Sequence, residues 1–172
     1  MDTSDWQLFL DLDGVLADFD RGVEDLLGRL PHAIEPRRMW PALARSPGFY
    51  EHLHWMPDGK QLWEASIPAS PVILTGLPLG KWAEPQKRAW CARELGEDVT
   101  VIAGPSRKKH ELASDFLRQQ GRANVTMILV DDREKQQEPW EQAGGVFVLH
   151  RSAAASLDAL ASIPGFGSTL RR

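Results

Sequence analysis

Trp-Gln-Leu-Phe-Leu-Asp-Leu-Asp-Gly-Val-Leu-Ala-Asp-Phe-Asp, residues 6–20, is the stretch from which the fold can be read. Leu8 to Leu10 form an apolar run long enough for a buried strand. Asp11 and Asp13 follow at once. Alternation along a strand puts residues i and i+2 on one side, so both carboxylates can face one site. Gly14 then lets the chain turn away without a Cβ penalty. Paired acids at the end of a buried strand are costly unless a cation or a proton offsets their repulsion. A calcium loop is excluded. Counted from Asp11, the places that need an acid or amide, a glycine and a glutamate hold Val15, Leu16 and Gly22. What stays open is a strand end with solvated acids, or an Asp nucleophile beside an Asp acid/base.

The rest of the chain sets the scale. Its 172 residues suit one domain with at most a small insertion. Hydrophobic content of 42% and charged content of 26% are those of an ordinary soluble globular protein. No apolar run approaches the ~20 residues of a membrane span, and the acidic start Met1–Asp5 does not read as a signal peptide. The single cysteine, Cys91, excludes an internal disulfide and fits a cytoplasmic location with a packing role. A net charge of -4 argues against a nucleic-acid polymer as partner. It also means that an anionic substrate needs local positive charge, from a divalent metal and one or two lysines.

Periodicity divides the chain into alternating strands and helices. A helix is expected over 20–30, with Val23, Leu26, Leu27 and Leu30 inward, stopped by Pro31. Residues 31–57 carry five prolines together with Met39, Trp40, Phe49, Tyr50 and Trp55, and read as a compact aromatic insertion. Asp58 is placed to cap a helix to about residue 67. Strands follow at 72–74 (ending in Thr75-Gly76), 99–102, 125–130 (ending in Asp131-Asp132) and 146–149. Helices are expected at 84–95, 107–119, up to about 143, and 152–162, before a frayed Gly/Ser/Arg tail. This alternation predicts an α/β fold, a Rossmann-like doubly wound parallel sheet. Residues 1–30 and 58–172 form its core, and 31–57 a small cap after the first strand–helix unit.

Ligands of such sheets sit beyond the carboxyl ends of the strands. Three strands end there in reactive groups: Asp11 with Asp13, Thr75, and Asp131 with Asp132. Lys81, Lys87, Lys108 and Lys109 could supply the cation between them. Lys109, near the start of a helix just past the third strand, is the favoured one. Lys87 lies inside a helical pattern, where a surface position is the default, with an outer phosphate contact as its candidate role. The histidines His32, His52, His54, His110 and His150 show no metal-site spacing.

The order Asp-x-Asp, Thr, Lys, Asp-Asp resembles that of haloacid dehalogenase (HAD) phosphatases. Within them the chain resembles the 5'(3')-deoxyribonucleotidases. The resemblance runs through Asp11–Phe19, Pro47-Gly48-Phe49-Tyr50, Met56-Pro57-Asp58-Gly59, Lys87-Arg88-Ala89-Trp90, Ser106-Arg107-Lys108-Lys109, Leu129-Val130-Asp131-Asp132-Arg133 and Pro139-Trp140-Glu141. It departs at Thr75-Gly76-Leu77, where that family has Thr-Ser-Pro and one hydroxyl more. The region before Phe49 is also shorter than in the animal enzymes.

The resemblance implies a HAD-like fold and hydrolysis of a phosphomonoester through an aspartyl phosphate. Asp11 is then the nucleophile and Asp13 the acid/base. Thr75 and Lys109 hold the phosphoryl oxygens, and Gly76 offers a backbone N–H. Mg²⁺ is held by Asp11, Asp13 (through its carbonyl) and Asp132, with Asp131 orienting. Phe19, Trp40, Phe49 and Tyr50 line the leaving-group pocket. The substrate expected is a small phosphomonoester such as a (deoxy)nucleoside monophosphate, with no membrane partner and a monomeric or homodimeric chain. A sugar phosphate, or a non-catalytic phosphate-binding role on the same fold, are the alternatives. A receiver domain fits poorly, because its acid pair follows the first strand and its acceptor a later one.

Overall fold

The computed structural model describes residues 6–171; the acidic start and Arg172 lie outside them. Five strands form one sheet: β1 Trp6–Leu10, β2 Val72–Gly76, β3 Val101–Gly104, β4 Thr126–Asp131 and β5 Val146–Leu149. All pairings are parallel, in the order β3-β2-β1-β4-β5. The chain therefore starts in the middle of its own sheet and winds outward in both directions, so the two halves diverge at β1. Register aligns Leu10 with Ile73 on one side and with Val130 on the other. The residues after β1 and at the ends of β2 and β4 thus reach the same edge.

Period-two alternation sends Leu8, Leu10, Ile73, Ile128 and Val130 into one core and Phe9, Val72, Leu74, Met127 and Leu129 into the other. Helices α5 (Lys109–Gln119) and α6 (Gln137–Gln142) close the second through Ala113, Leu117 and Trp140. The first is larger. It takes side chains from α1 (Phe19–Leu27), α2 (Pro36–Ala44), α3 (Gly59–Ser66), α4 (Ala83–Glu94) and α7 (Ala153–Ala161). Cys91 packs there, its thiol pushed up to about 12 by burial, as expected of an inert packing residue. Among the described residues no helix is long and apolar enough to cross a membrane.

Several local expectations need correction. Helix α1 ends at Gly28, whose φ of 71° is a left-handed cap, before Pro31 is reached. Val23 is buried and Leu27 packs partly against the core, but Leu26 is exposed, and so is Leu30, which lies past the end of the helix. Asp58 makes no cap bond to α3; its Oδ2 accepts from Ala153 N at 2.6 Å and caps α7 instead, alongside Ser152. β3 starts at Val101, two residues later than the apolar pattern suggests. Residues 36–44 are helical in spite of Pro41, and their Met39 and Leu43 join the same core as β1. The tail is not frayed up to residue 171: Phe166 is buried and packs edge-on against Trp6 at 6.2 Å.

Candidate active site

The site grows out of the end of β1. Asp11 N still bonds Val130 O at 2.9 Å, so the first acid is held in sheet register. The chain then turns tightly through Gly14, with Gly14 N bonded to Ala17 O. Glycine is required there twice over. Its φ is 78°, and a Cβ would lie 2.3 Å from Asp132 Oδ2. The close approach lets the acid pair of β4 come against the acids of β1.

Two buried lysines organise the carboxylates. Lys109 Nζ lies 2.7 Å from Asp11 Oδ1 and 2.6 Å from Asp131 Oδ2. Asp131 Oδ1 accepts from Arg133 N at 2.9 Å, so both oxygens of this acid are engaged. Lys87 Nζ lies 2.5 Å from Asp13 Oδ2 and bonds Thr75 Oγ1 at 3.1 Å and Gly76 O at 2.7 Å. It also sits 4.4 Å from the centre of the Tyr50 ring. Lys87 is thus not a surface residue: it is only 1% exposed. Helix α4 buries Ala83, Lys87, Trp90 and Cys91 on one face. That i, i+4, i+7, i+8 stripe is the sequence signal that places this lysine inward.

The electrostatics follow from crowding acids in a dry place. Burial first, then Asp11 and Asp131, push Asp132 up to about 7. Asp131 is raised by burial and by Asp11, against the pull of Lys109. Asp13 is raised chiefly by burial, with Lys87 opposing and Asp11 adding. Burial pulls Lys109 down, but Asp11 and Asp131 outweigh it and hold its pKa above the ordinary lysine value. Asp132 Oδ1 and Asp13 Oδ1 are buried without a hydrogen-bond partner. Asp11, Asp131 and Asp132 each offer an oxygen within 4.8 Å of the others, a set able to hold a hard cation.

Every acid, hydroxyl and lysine expected at the site is therefore at this one edge. The aromatics divide. Phe49 and Tyr50 are buried and serve as backing, with Tyr50 stacked on Phe19 at 6.0 Å. Phe19 and Trp40 border open space. Sequence reasoning gave no role to Arg133 and Ser106, which line a small pocket with Asp11, Asp13, Gly76 and Lys109. A Cβ on Gly76 would stand 1.9 Å from Ser106 Oγ. The Ser106 hydroxyl thus occupies the place of the side chain that residue 76 lacks. The departure at Gly76 was visible in the sequence; its partner in space was not.

No family model matches the sequence, and no curated protein matches it. The fold is similar to that of a solved structure, a HAD-superfamily hydrolase of subfamily IA, variant 1, from Geobacter sulfurreducens. The two share 14% identity and a TM-score of 0.53, over 87% of this chain and 89% of the other. At that identity the likeness establishes the fold, which is HAD-like, and nothing about the substrate.

Lys87→Met leaves the Asp13 carboxylate without its buried cation, and a loss of about 3–5 kcal/mol is expected near about pH 8. The folded-state pKa of Asp13 is already raised and climbs further once the lysine is gone. The folded variant then binds a proton that the unfolded chain releases, so its stability recovers as pH falls towards about 5. Denaturant unfolding at the two pH values checks this, and a small, pH-independent loss contradicts it.

Proposed function

We propose that this chain is a Mg²⁺-dependent phosphomonoester hydrolase that works through a phosphorylated Asp11, with nucleoside monophosphates as its substrates. The observation that carries the reading is the meeting of Asp11, Asp13, Lys109 and Asp132 at the diverging edge of the sheet. The donor set fits the metal: all oxygen, closely spaced, with one buried carboxylate oxygen of Asp132 lacking any partner. Asp11 and Asp132, with the Asp13 carbonyl, would hold the ion, and Asp131, engaged by Lys109 and Arg133 N, orients from behind. When bound, Mg²⁺ supplies positive charge against the phosphoryl oxygens.

The chain's own residues do the rest. Lys109 fixes one oxygen of Asp11, and the other attacks phosphorus in line. As the bond to the leaving oxygen breaks, Asp13 donates its proton to that oxygen. Burial, opposed by Lys87 and aided by Asp11, raises the Asp13 pKa and so favours the protonated form that this step uses. Water then attacks the phosphorylated Asp11, Asp13 takes its proton, and phosphate leaves with the Asp11 carboxylate restored. Thr75, the Gly76 backbone and Ser106 steady the equatorial oxygens, with Ser106 replacing the hydroxyl absent at 76. Residues 31–57 act as the cap and contribute Trp40 to the leaving-group side.

A turnover panel of nucleoside monophosphates and sugar phosphates with Mg²⁺ present tests the reading. Asp11→Asn should keep the fold and lose turnover; hydrolysis at the parent rate would show that Asp11 is not the nucleophile. Ser106→Ala should lower kcat about tenfold, the worth of one hydrogen bond to a charged group. Gly76→Ser combined with Ser106→Gly should restore most of that loss. A double variant as slow as Ser106→Ala rejects the replacement of one hydroxyl by the other.

A further inference from the structure

Beside the catalytic pocket, and sharing Ser106 and Arg133 with it, lies a cleft of about 900 Å³. Trp40 and Trp82 form aromatic walls. Each is backed by another ring, Trp40 by Phe19 at 5.9 Å and Trp82 by Tyr50 at 5.4 Å. Trp82 is also tied by Nε1 to Leu79 O at 3.1 Å. Leu79 itself stands on the rim, 96% exposed, an apolar side chain with nothing over it. Arg107, Arg133 and Lys135 complete the lining, and no Asp or Glu lines it. Among the described residues none of these three cations is in an ion pair.

Positive charge collected in one cleft is notable in a chain whose net charge is -4. Arg133 lies against the catalytic acids and helps offset them. Arg107 and Lys135 have no such duty at the scissile phosphate, since neither borders the catalytic pocket. Unpaired cations beside aromatic walls suit a ligand that carries both a planar ring and an anion: the ring stacks, and the guanidinium and ammonium groups take the charge. We infer that the preferred nucleotide is one whose leaving group joins a planar base to a second phosphate on its sugar, as in a nucleoside bisphosphate, with the base held between Trp40 and Trp82 and the second charge on Arg107 and Lys135. The inference rests on the hydrolase reading for which end of the molecule enters the catalytic pocket.

The test is calorimetric binding to the full-length Asp11→Asn protein with Mg²⁺ present, comparing adenosine 3',5'-bisphosphate with adenosine 5'-monophosphate. The bisphosphate is expected to bind about tenfold tighter or more. Arg107→Ala and Lys135→Ala, each added to that background, should remove most of the difference by weakening bisphosphate binding. Because the readout is a ratio of two affinities, a general structural disturbance does not mimic it. Equal affinities, or a preference that survives both substitutions, overturn the inference. Turnover of 4-nitrophenyl phosphate by the unsubstituted protein reads the hydrolase assignment separately. Turnover with equal affinities rejects the second anion alone. Tight, cation-dependent bisphosphate binding without any turnover keeps the cleft and rejects the hydrolase.

Discussion

Four carboxylates are forced together at one edge of a dry sheet, and the molecule is built around containing them. Asp11 and Asp13 arrive on the strand from which the sheet diverges, and Asp131 and Asp132 on its neighbour. Buried like charges cannot all stay ionised without compensation. Two ammonium groups come in from helices on opposite faces. Lys109 at the start of α5 clamps Asp11 to Asp131, and Lys87 from α4 clamps Asp13 to the end of β2. The balance is still short of positive charge: burial, Asp11 and Asp131 push Asp132 up to about 7, a shift that a bound cation would oppose.

The division of labour between the lysines explains how one cluster can hold acids of different character. Asp131 is satisfied at both oxygens and has no freedom left. Asp13 and Asp132 each keep a buried oxygen without a partner, so these are the acids open to exchange a proton or accept an ion. Around them the shell is packed ring against ring. The Tyr50 ring lies over Lys87, Phe19 stacks on Tyr50, and Trp40 and Trp82 lean on those two rings towards the cleft. Residues 31–57 therefore give the cleft the aromatic surface of Trp40 and most of their other hydrophobic groups to the main core.

Much of this was legible in the chain. The apolar runs before Asp11, Thr75 and Asp131 placed three strand ends on one edge, because parallel strands with short continuous cores leave little choice. Where the reading went astray, the cause was a tertiary contact with no local sign. Asp58 looks like the cap of the helix that follows it, yet it caps α7, 95 residues further on. Leu26 and Leu30 fit a helical stripe, but of its four leucine and valine positions only Val23 is fully buried, and Leu30 falls after the Gly28 cap. Phe166 lies in a glycine-rich tail and is buried against Trp6. Lys87 is the instructive case. Its neighbours on the helix face are apolar, and charge alone suggested the surface. A lysine on a buried stripe near clustered acids is better read as their counter-ion. Ser106 could not be found from local sequence at all, since its link to Gly76 exists only across two strand ends.

The shortage of positive charge among these carboxylates is tested most directly by titrating the metal-free protein with Mg²⁺ in a calorimeter, in buffers of different ionisation enthalpy near neutral pH. One ion per chain, with release of protons as the raised carboxylates ionise, and loss of binding in both Asp132→Asn and Asp11→Asn, is the expected result. No binding, or binding that persists unchanged in the two variants, would contradict it.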